Sequence, residues 1–411
     1  MSLVNGIKFR LAPLVYYPPV TILYNSGIDP RTHMKILTIF GTRPEAIKMA
    51  PVVRALDAHP GFTSRVCVTA QHRQMLDQVL DLFEITPDHD LDIMSPGQDL
   101  FDVTARALLG LRDILKQEQP DMVLVQGDTT TCFTGALAAF YEGIRIGHIE
   151  AGLRTGNLQA PFPEEANRAM VSRIADLHFA PTARSRQNLL KENIPGGNIH
   201  VTGNTVIDAL LWVRDKVEQY PQDIWKEQFG PELHRTITSK DSRLILITGH
   251  RRENFGQGFK DLCTAIRDLA KRHPDWYFVY PVHLNPNVQQ PVNDILTGIT
   301  NISLIEPLDY APFVWLMNQS AIILTDSGGV QEEAPSLGKP VLVMREVTER
   351  PEAVEAGTVK LVGTSRQSIV NAIEEILLDQ AVYDSMSRAH NPYGDGTAAR
   401  KILANMRPGK P

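Results

Sequence analysis

The chain has 411 residues, 43% hydrophobic and 21% charged, with 41 basic against 47 acidic side chains and a net charge of −6. With its 28 glycines counted among the apolar residues, about half of the chain is apolar, as in globular proteins, which excludes a disordered or collagen-like chain. So mild an acidic excess gives no footprint for gripping nucleic acid or an anionic membrane, and any bound phosphate must be held by a local site.

Residues 1–33 contain LAPLVYYPPVTILY, broken by Pro13, Pro18 and Pro19, with no small-residue cleavage site after it. That is a poor signal peptide, and no run of 18 apolar residues predicts a membrane span. Lys8, Arg10 and Arg31 against Asp29 give the segment a local charge of +2. From Met34 the pattern changes to MKILTIFGTRPE, so 1–33 reads as an upstream extension outside the core, with a basic functional arm as the alternative.

KILTIF (35–40) then predicts a buried strand, and Pro44 to His59 a helix opened by proline. Strands follow at RVCVT (65–69), MVLVQ (122–126), IRIGHIE (144–150) and LHFAP (177–181). Helices are expected near 71–83, 99–118, 129–141 and 163–174. The pattern restarts at RLILIT (243–248) and continues through WYFVYP, ISLIE, AIILT and PVLVM, again with helices between. The stretch 220–242 is polar and broken by Pro221, Gly230 and Pro231, which reads as a connection between halves. Strands alternating with helices signal βαβ units, hence an α/β chain of two Rossmann-like parallel-sheet domains. The expected domains are 34–205 and 206–390, with 391–411 a C-terminal helix behind the loop NPYGDG. Ligands of such sheets bind beyond the carboxyl ends of the strands, here in the cleft between the two.

Several polar groups fall on those strand ends. Gly41-Thr42-Arg43-Pro44-Glu45 is a glycine turn feeding a helix, a ready anion site to which Arg43 adds a bidentate donor. Lys48 lies one turn on, as a site residue or a solvated lysine. In the second half Ser327-Gly328-Gly329 ends a strand and opens a helix expected near Val330. Glu333, one turn deeper, is placed to accept two ribose hydroxyls. Asp128, His148 and Glu150 stand at the first sheet's edge, as His250, Arg251 and Arg252 do at the second. Glu164 and Glu165 open a helix, where they serve either chemistry or the helix dipole. Cys67, Cys132 and Cys263 form no Cys-x-x-Cys pair and read as buried thiols, which argues against a disulfide framework and cysteine-held zinc. No zinc helix motif, serine elbow, Walker loop or GxGxxG appears. Spacing alone thus reaches cofactor-free acid/base chemistry on a sugar nucleotide.

Read together, FGTRPEAIKMAP, TAQHRQML, GDTTT, HIEAGLRTG, PEEANR, TGNTVIDAL, TGHRREN, YPVHLNP, TDSGGVQEEAPSLGKPVLVMR and TERPEAV resemble the bacterial non-hydrolysing UDP-N-acetylglucosamine 2-epimerases over 34–405. The resemblance implies a GT-B fold whose C-terminal helix crosses back onto the first domain. It implies interconversion of UDP-GlcNAc and UDP-ManNAc for cell-envelope polysaccharide, through loss of UDP to a 2-acetamidoglucal and re-addition. It also implies a cytoplasmic homodimer needing neither NAD nor metal. Position by position, Asp128, Glu150, Glu164 and His250 match the family's catalytic groups. Arg43, Ser327, Gly328, Gly329, Glu333 and Arg350 match its UDP contacts, Phe313 lies near the uracil, and Lys48 belongs to the same site. Gln71, His72, Gln74 and His283 match a second UDP-GlcNAc site that activates many members, although the arginine expected near Gln98 is missing. A hydrolysing epimerase that releases ManNAc and UDP, a GT-B glycosyltransferase and a non-catalytic binding module are the competing readings.

Overall fold

The computed structural model describes residues 33–70, 73–95, 97–239 and 243–406, the side chains of Arg73 and Gln74 excepted. The expected N-terminal extension, apart from its last residue, lies outside them, as do Gln71 and His72. In the first half, β1 (Met34–Phe40), β2 (Phe62–Val68), β3 (His89–Asp90), β4 (Met122–Gln126), β5 (Arg145–Ile149), β6 (Leu177–Ala180) and β7 (Ile199–Val201) form one sheet. In the second half, β8 (Arg243–Thr248), β9 (Trp276–Pro281), β10 (Ile302–Ile305), β11 (Ile322–Thr325), β12 (Val341–Val343) and β13 (Val359–Leu361) form another. All pairings are parallel, in the orders β3-β2-β1-β4-β5-β6-β7 and β10-β9-β8-β11-β12-β13. Both orders reverse direction at the middle, between β1 and β4 and between β8 and β11. Such switch points open a crevice at the strands' carboxyl ends, where doubly wound sheets bind ligands.

The central strands are apolar throughout because helices cover both faces: Met122, Val123, Leu124 and Val125 of β4 are all buried. One apolar cluster runs continuously from the first half into the second. Its bridge is the helix Thr205–Glu218, which packs on both Arg43–Asp57 and Tyr310–Gln319. The expected boundary after residue 205 therefore falls at the start of an element shared by both halves. The C-terminal helix Ala398–Asn405 also lies on Arg43–Asp57, with Asp208 accepting from the amides of Ala398 and Ala399 at 3.1 and 2.9 Å. The stretch 220–242 is not a bare connection. Gln222–Phe229 and Pro231–Thr238 are short helices, and their Trp225 and His234 rings stack on Trp315 at 4.7 and 6.0 Å between centroids. Among the described residues no helix is long and apolar enough to cross a membrane.

Candidate active site

Two rigid turns form the first half's wall. Gly41 ends β1 in a space without room for a side chain, since a Cβ there would lie 2.0 Å from Thr69 Oγ1 and 2.5 Å from Thr131 Oγ1. The following Thr42 and Glu45 form a capping box, and Glu45 Oε2 accepts from the amides of Gly41 (3.1 Å) and Thr42 (2.8 Å). Glu45 Oε1 accepts from Thr129 Oγ1 at 2.5 Å, joining the β1 turn to the β4 turn. Burial pushes the Glu45 carboxyl above its ordinary range, against these hydrogen bonds. The spacing T-x-x-E was legible as a capping box, yet the sequence assigned Glu45 no role. Its clamp leaves Arg43 on the first helical turn, with no hydrogen bond among the described residues.

Lys48 is not solvated. Its Nζ lies 2.5 Å from Glu150 Oε2, which also accepts from Gln126 Nε2 at 3.0 Å. Burial works against the Lys48 charge, but Glu150 and Glu332 outweigh it and raise its pKa. Glu150 holds φ at +64°, a left-handed backbone that costs a non-glycine residue about 1–2 kcal/mol. The Lys48 and Gln126 contacts keep it there, so strain sits where the carboxylate is aimed.

Asp128 follows β4 and pairs with Arg168 Nη2 at 2.8 Å. Burial raises its pKa most; Arg168 and Lys48 oppose this, while Glu150 and Glu164 add to it. The three expected carboxylates thus share one field. Glu164 is half-buried and has no hydrogen-bond partner among the described residues. Its neighbour Glu165 is structural: it accepts from the amides of Thr155 (3.0 Å) and Gly156 (2.9 Å) and holds that loop in place. His148 does not serve the site either. It is 0% exposed, Nε2 contacts Gly127 O at 2.7 Å, and burial lowers its pKa to about 3.

In the second half the helix starts at Gly328, earlier than expected, with Ser327 as its N-cap. A Cβ on Gly328 would lie 2.8 Å from Arg350 Nη1, so glycine lets the guanidinium lie against the turn. Arg350 Nε donates to Glu332 Oε1 at 2.6 Å, and Glu332 Oε2 accepts from Asn204 at 3.0 Å, tying Arg350 to the bridging helix. Glu333 Oε1 accepts from Tyr310 at 2.5 Å. Burial pushes Glu333 up to about 7 against that hydrogen bond; Glu332 adds to the rise, while Lys48 and Arg43 oppose it. Those two cations come from the first half, so both walls meet at one place. Phe313, half-buried, lies on the helix that carries Tyr310.

His250 follows β8 and is 44% exposed, and its ring stacks on His283 at 5.5 Å between centroids. His283 is thus brought to the catalytic side, while the side chains of Gln71, His72 and Gln74 lie outside the described residues. Where an arginine was expected near Gln98, Asp99 instead caps the helix Leu100–Glu118. Arg168, Gln126, Glu332, Asn204 and Tyr310 join the site without having been singled out in the sequence.

A family model described as UDP-N-acetylglucosamine 2-epimerase matches residues 54–407. A Yersinia pestis protein named UDP-N-acetylglucosamine 2-epimerase is 60% identical, covering 91% of this chain and 98% of its own. The crystal structure of UDP-GlcNAc 2-epimerase from Neisseria meningitidis bound to UDP-GlcNAc is 54% identical, with a TM-score of 0.81 over 91% of this chain and 99% of that one. The Methanocaldococcus jannaschii UDP-GlcNAc 2-epimerase, solved with UDP-GlcNAc and UDP, is 32% identical, with a TM-score of 0.72 over 90% and 99%. The two parallel sheets and these likenesses give the expected GT-B architecture, and the chain belongs to the UDP-N-acetylglucosamine 2-epimerase family.

Proposed function

We propose that the chain interconverts UDP-GlcNAc and UDP-ManNAc by eliminating UDP across C1 and C2 and adding it back with C2 inverted. The C2 hydrogen is not next to a carbonyl, so no ordinary base removes it directly. Breaking C1–O first, with the electron pair leaving on the diphosphate, makes C1 oxocarbenium-like and C2–H acidic. A carboxylate takes the proton as C1=C2 forms. UDP then returns to C1 while a second acid delivers a proton to the opposite face of C2, so two acid/base groups are needed.

The observation that carries this reading is the shared field of Asp128, Glu150 and Glu164. Asp128, with its raised pKa, and unpaired Glu164 exchange the proton, while Glu150 stays committed to Lys48 and Gln126. Arg43, Arg350, His250 and the Ser327-Gly328-Gly329 turn take the developing diphosphate charge. Glu333 takes the ribose and Phe313 the uracil. In D2O, UDP-GlcNAc should give UDP-ManNAc with deuterium at C2. Asp128→Asn and Glu164→Gln should each lower turnover about 10²-fold or more, with UDP affinity nearly unchanged. Retained C2 hydrogen would overturn the elimination, and free ManNAc as the main product would select hydrolysis.

The working unit is a homodimer in a reducing cytoplasm. Phe101 (84% exposed) and Leu109 on one helix, and Phe140 and Tyr141 at the end of the helix packed beside it, are exposed apolar residues that a second copy would cover. All three thiols are free and buried, which supports a reducing compartment. Sedimentation should show a dimer that Phe101→Asp weakens; an unchanged dimer in the variant would exclude that face, and a monomer in the native protein would exclude the homodimer.

A further inference from the structure

His250 and Asp326 meet because of the sheet. Their strands β8 and β11 pair in register, Thr248 opposite Thr325, and the Asp326 amide donates to Thr248 O at 3.1 Å. The loops leaving the two strands therefore start side by side at the switch point.

Asp326 is 0% exposed, and its two oxygens are used unequally. Oδ2 accepts from the amides of His250 (2.9 Å) and Arg251 (2.8 Å) and from Asn254 Nδ2 (3.2 Å). Oδ1 has no hydrogen-bond partner among the described residues, yet lies 3.4 Å from His250 Nδ1. A buried carboxylate oxygen without a donor is costly, so something must recover that cost in the working enzyme. Three hydrogen bonds to Oδ2 fix the carboxylate, whereas the half-exposed imidazole is held by its stacking on His283, which leaves it able to rotate within the ring plane. A small rotation brings Nδ1–H into bonding range.

We propose that Asp326 is the positioning residue for His250: as the cleft closes on substrate, Oδ1 accepts Nδ1–H and holds the imidazolium with Nε2–H toward the departing diphosphate. The inference deepens the reading of His250 as a diphosphate-stabilising group and rests on it. When C1–O breaks, the electron pair stays on the phosphate oxygen, which accepts a hydrogen bond from Nε2–H; no proton need leave the ring. The charged and titratable groups facing His250 are Asp326, His283 and Arg251. Burial lowers the His250 pKa and Asp326 opposes this, while His283 and Arg251 lower it further. Asp326 is thus the one group among them that favours the imidazolium, and the negative charge of a bound diphosphate adds to it.

Asp326→Asn keeps an oxygen for the three N–H donors but turns an NH2 toward Nδ1. Turnover should fall about 10²-fold, with KM and UDP affinity within about threefold. The basic limb of the kcat–pH profile should move to lower pH, because the imidazolium loses its carboxylate. In a His250→Asn background the same change should cost nothing further. Additive losses with an impaired His250→Asn, or lost UDP affinity, would make Asp326 a scaffold of the 250–254 loop and overturn the inference alone. Near-normal turnover in His250→Asn would overturn the reading of His250 with it. Nitrogen-15 spectra of the native UDP complex test the point without a variant at Asp326, with the resonance assigned by its loss in His250→Asn. A protonated Nδ1 on His250 is expected, and an unprotonated one refutes the proposal.

Discussion

At the residue scale, the ribose role proposed for Glu333 makes its ionisation decisive for nucleotide binding. Buried against Tyr310, its carboxyl is pushed up to about 7, so the free protein holds it largely protonated below neutrality. Accepting two ribose hydroxyls requires the carboxylate, so UDP binding should release a proton and tighten as pH rises through 7. Titration calorimetry in buffers of different ionisation enthalpy checks this, and Glu333→Gln should abolish both the proton release and the pH dependence. The same group acts on stability in the opposite direction. Its folded value lies above the ordinary 4.5, so its contribution is full below 4.5 and is lost as pH rises through about 7. Asp128, Glu150, Lys48 and Glu333 were legible because each stands just past a strand end or in the helix that follows one, and Glu164 because it opens a helix. Arg168 and Tyr310 were not, because their partners Asp128 and Glu333 are distant in the chain and only the fold brings them together.

At the element scale, the glycine turns differ in what they tolerate. Gly41→Ala places a Cβ against the Thr69 and Thr131 hydroxyls, which are themselves bonded at 2.8 Å. It should cost about 1–3 kcal/mol and displace Arg43, so that urea unfolding and UDP affinity both suffer. Gly329→Ala meets nothing closer than 3.7 Å and should leave unfolding unchanged; equal losses in the two variants would refute this packing argument. The long apolar strands were legible because burial on both faces makes them continuous hydrophobic runs. β3, β7 and β13 were missed: at two or three residues each, they are too short for any periodicity to show. The helices within 220–242 were hidden by Pro221, Gly230 and Pro231, which mark their ends rather than a loop.

At the scale of the whole molecule, the question is what holds the two sheets apart or together. The shared apolar cluster and the helices Thr205–Glu218 and Ala398–Asn405 tie the halves along one side, which makes that side the natural hinge. Across the cleft the ties are polar and few: Thr182 Oγ1 to Glu352 at 2.9 Å, and Arg184 to Glu355 at 2.6 Å. The exposed Arg184–Glu355 pair contributes at most about 1 kcal/mol and the Thr182–Glu352 hydrogen bond about as much, too little to keep the cleft shut alone. The active site adds an opposing charge distribution, with Arg43 and Lys48 on one wall and Glu332 and Glu333 on the other. A diphosphate between Arg43 and Arg350, with its ribose on Glu333, would bridge the walls and supply the differential affinity that closure needs. UDP should therefore shift the scattering profile toward a smaller radius of gyration, and Glu352→Ala should make the free protein more open without abolishing that shift. Identical profiles with and without UDP would show a rigid cleft, and the charges of the two walls would then have to act on the ligand without moving each other.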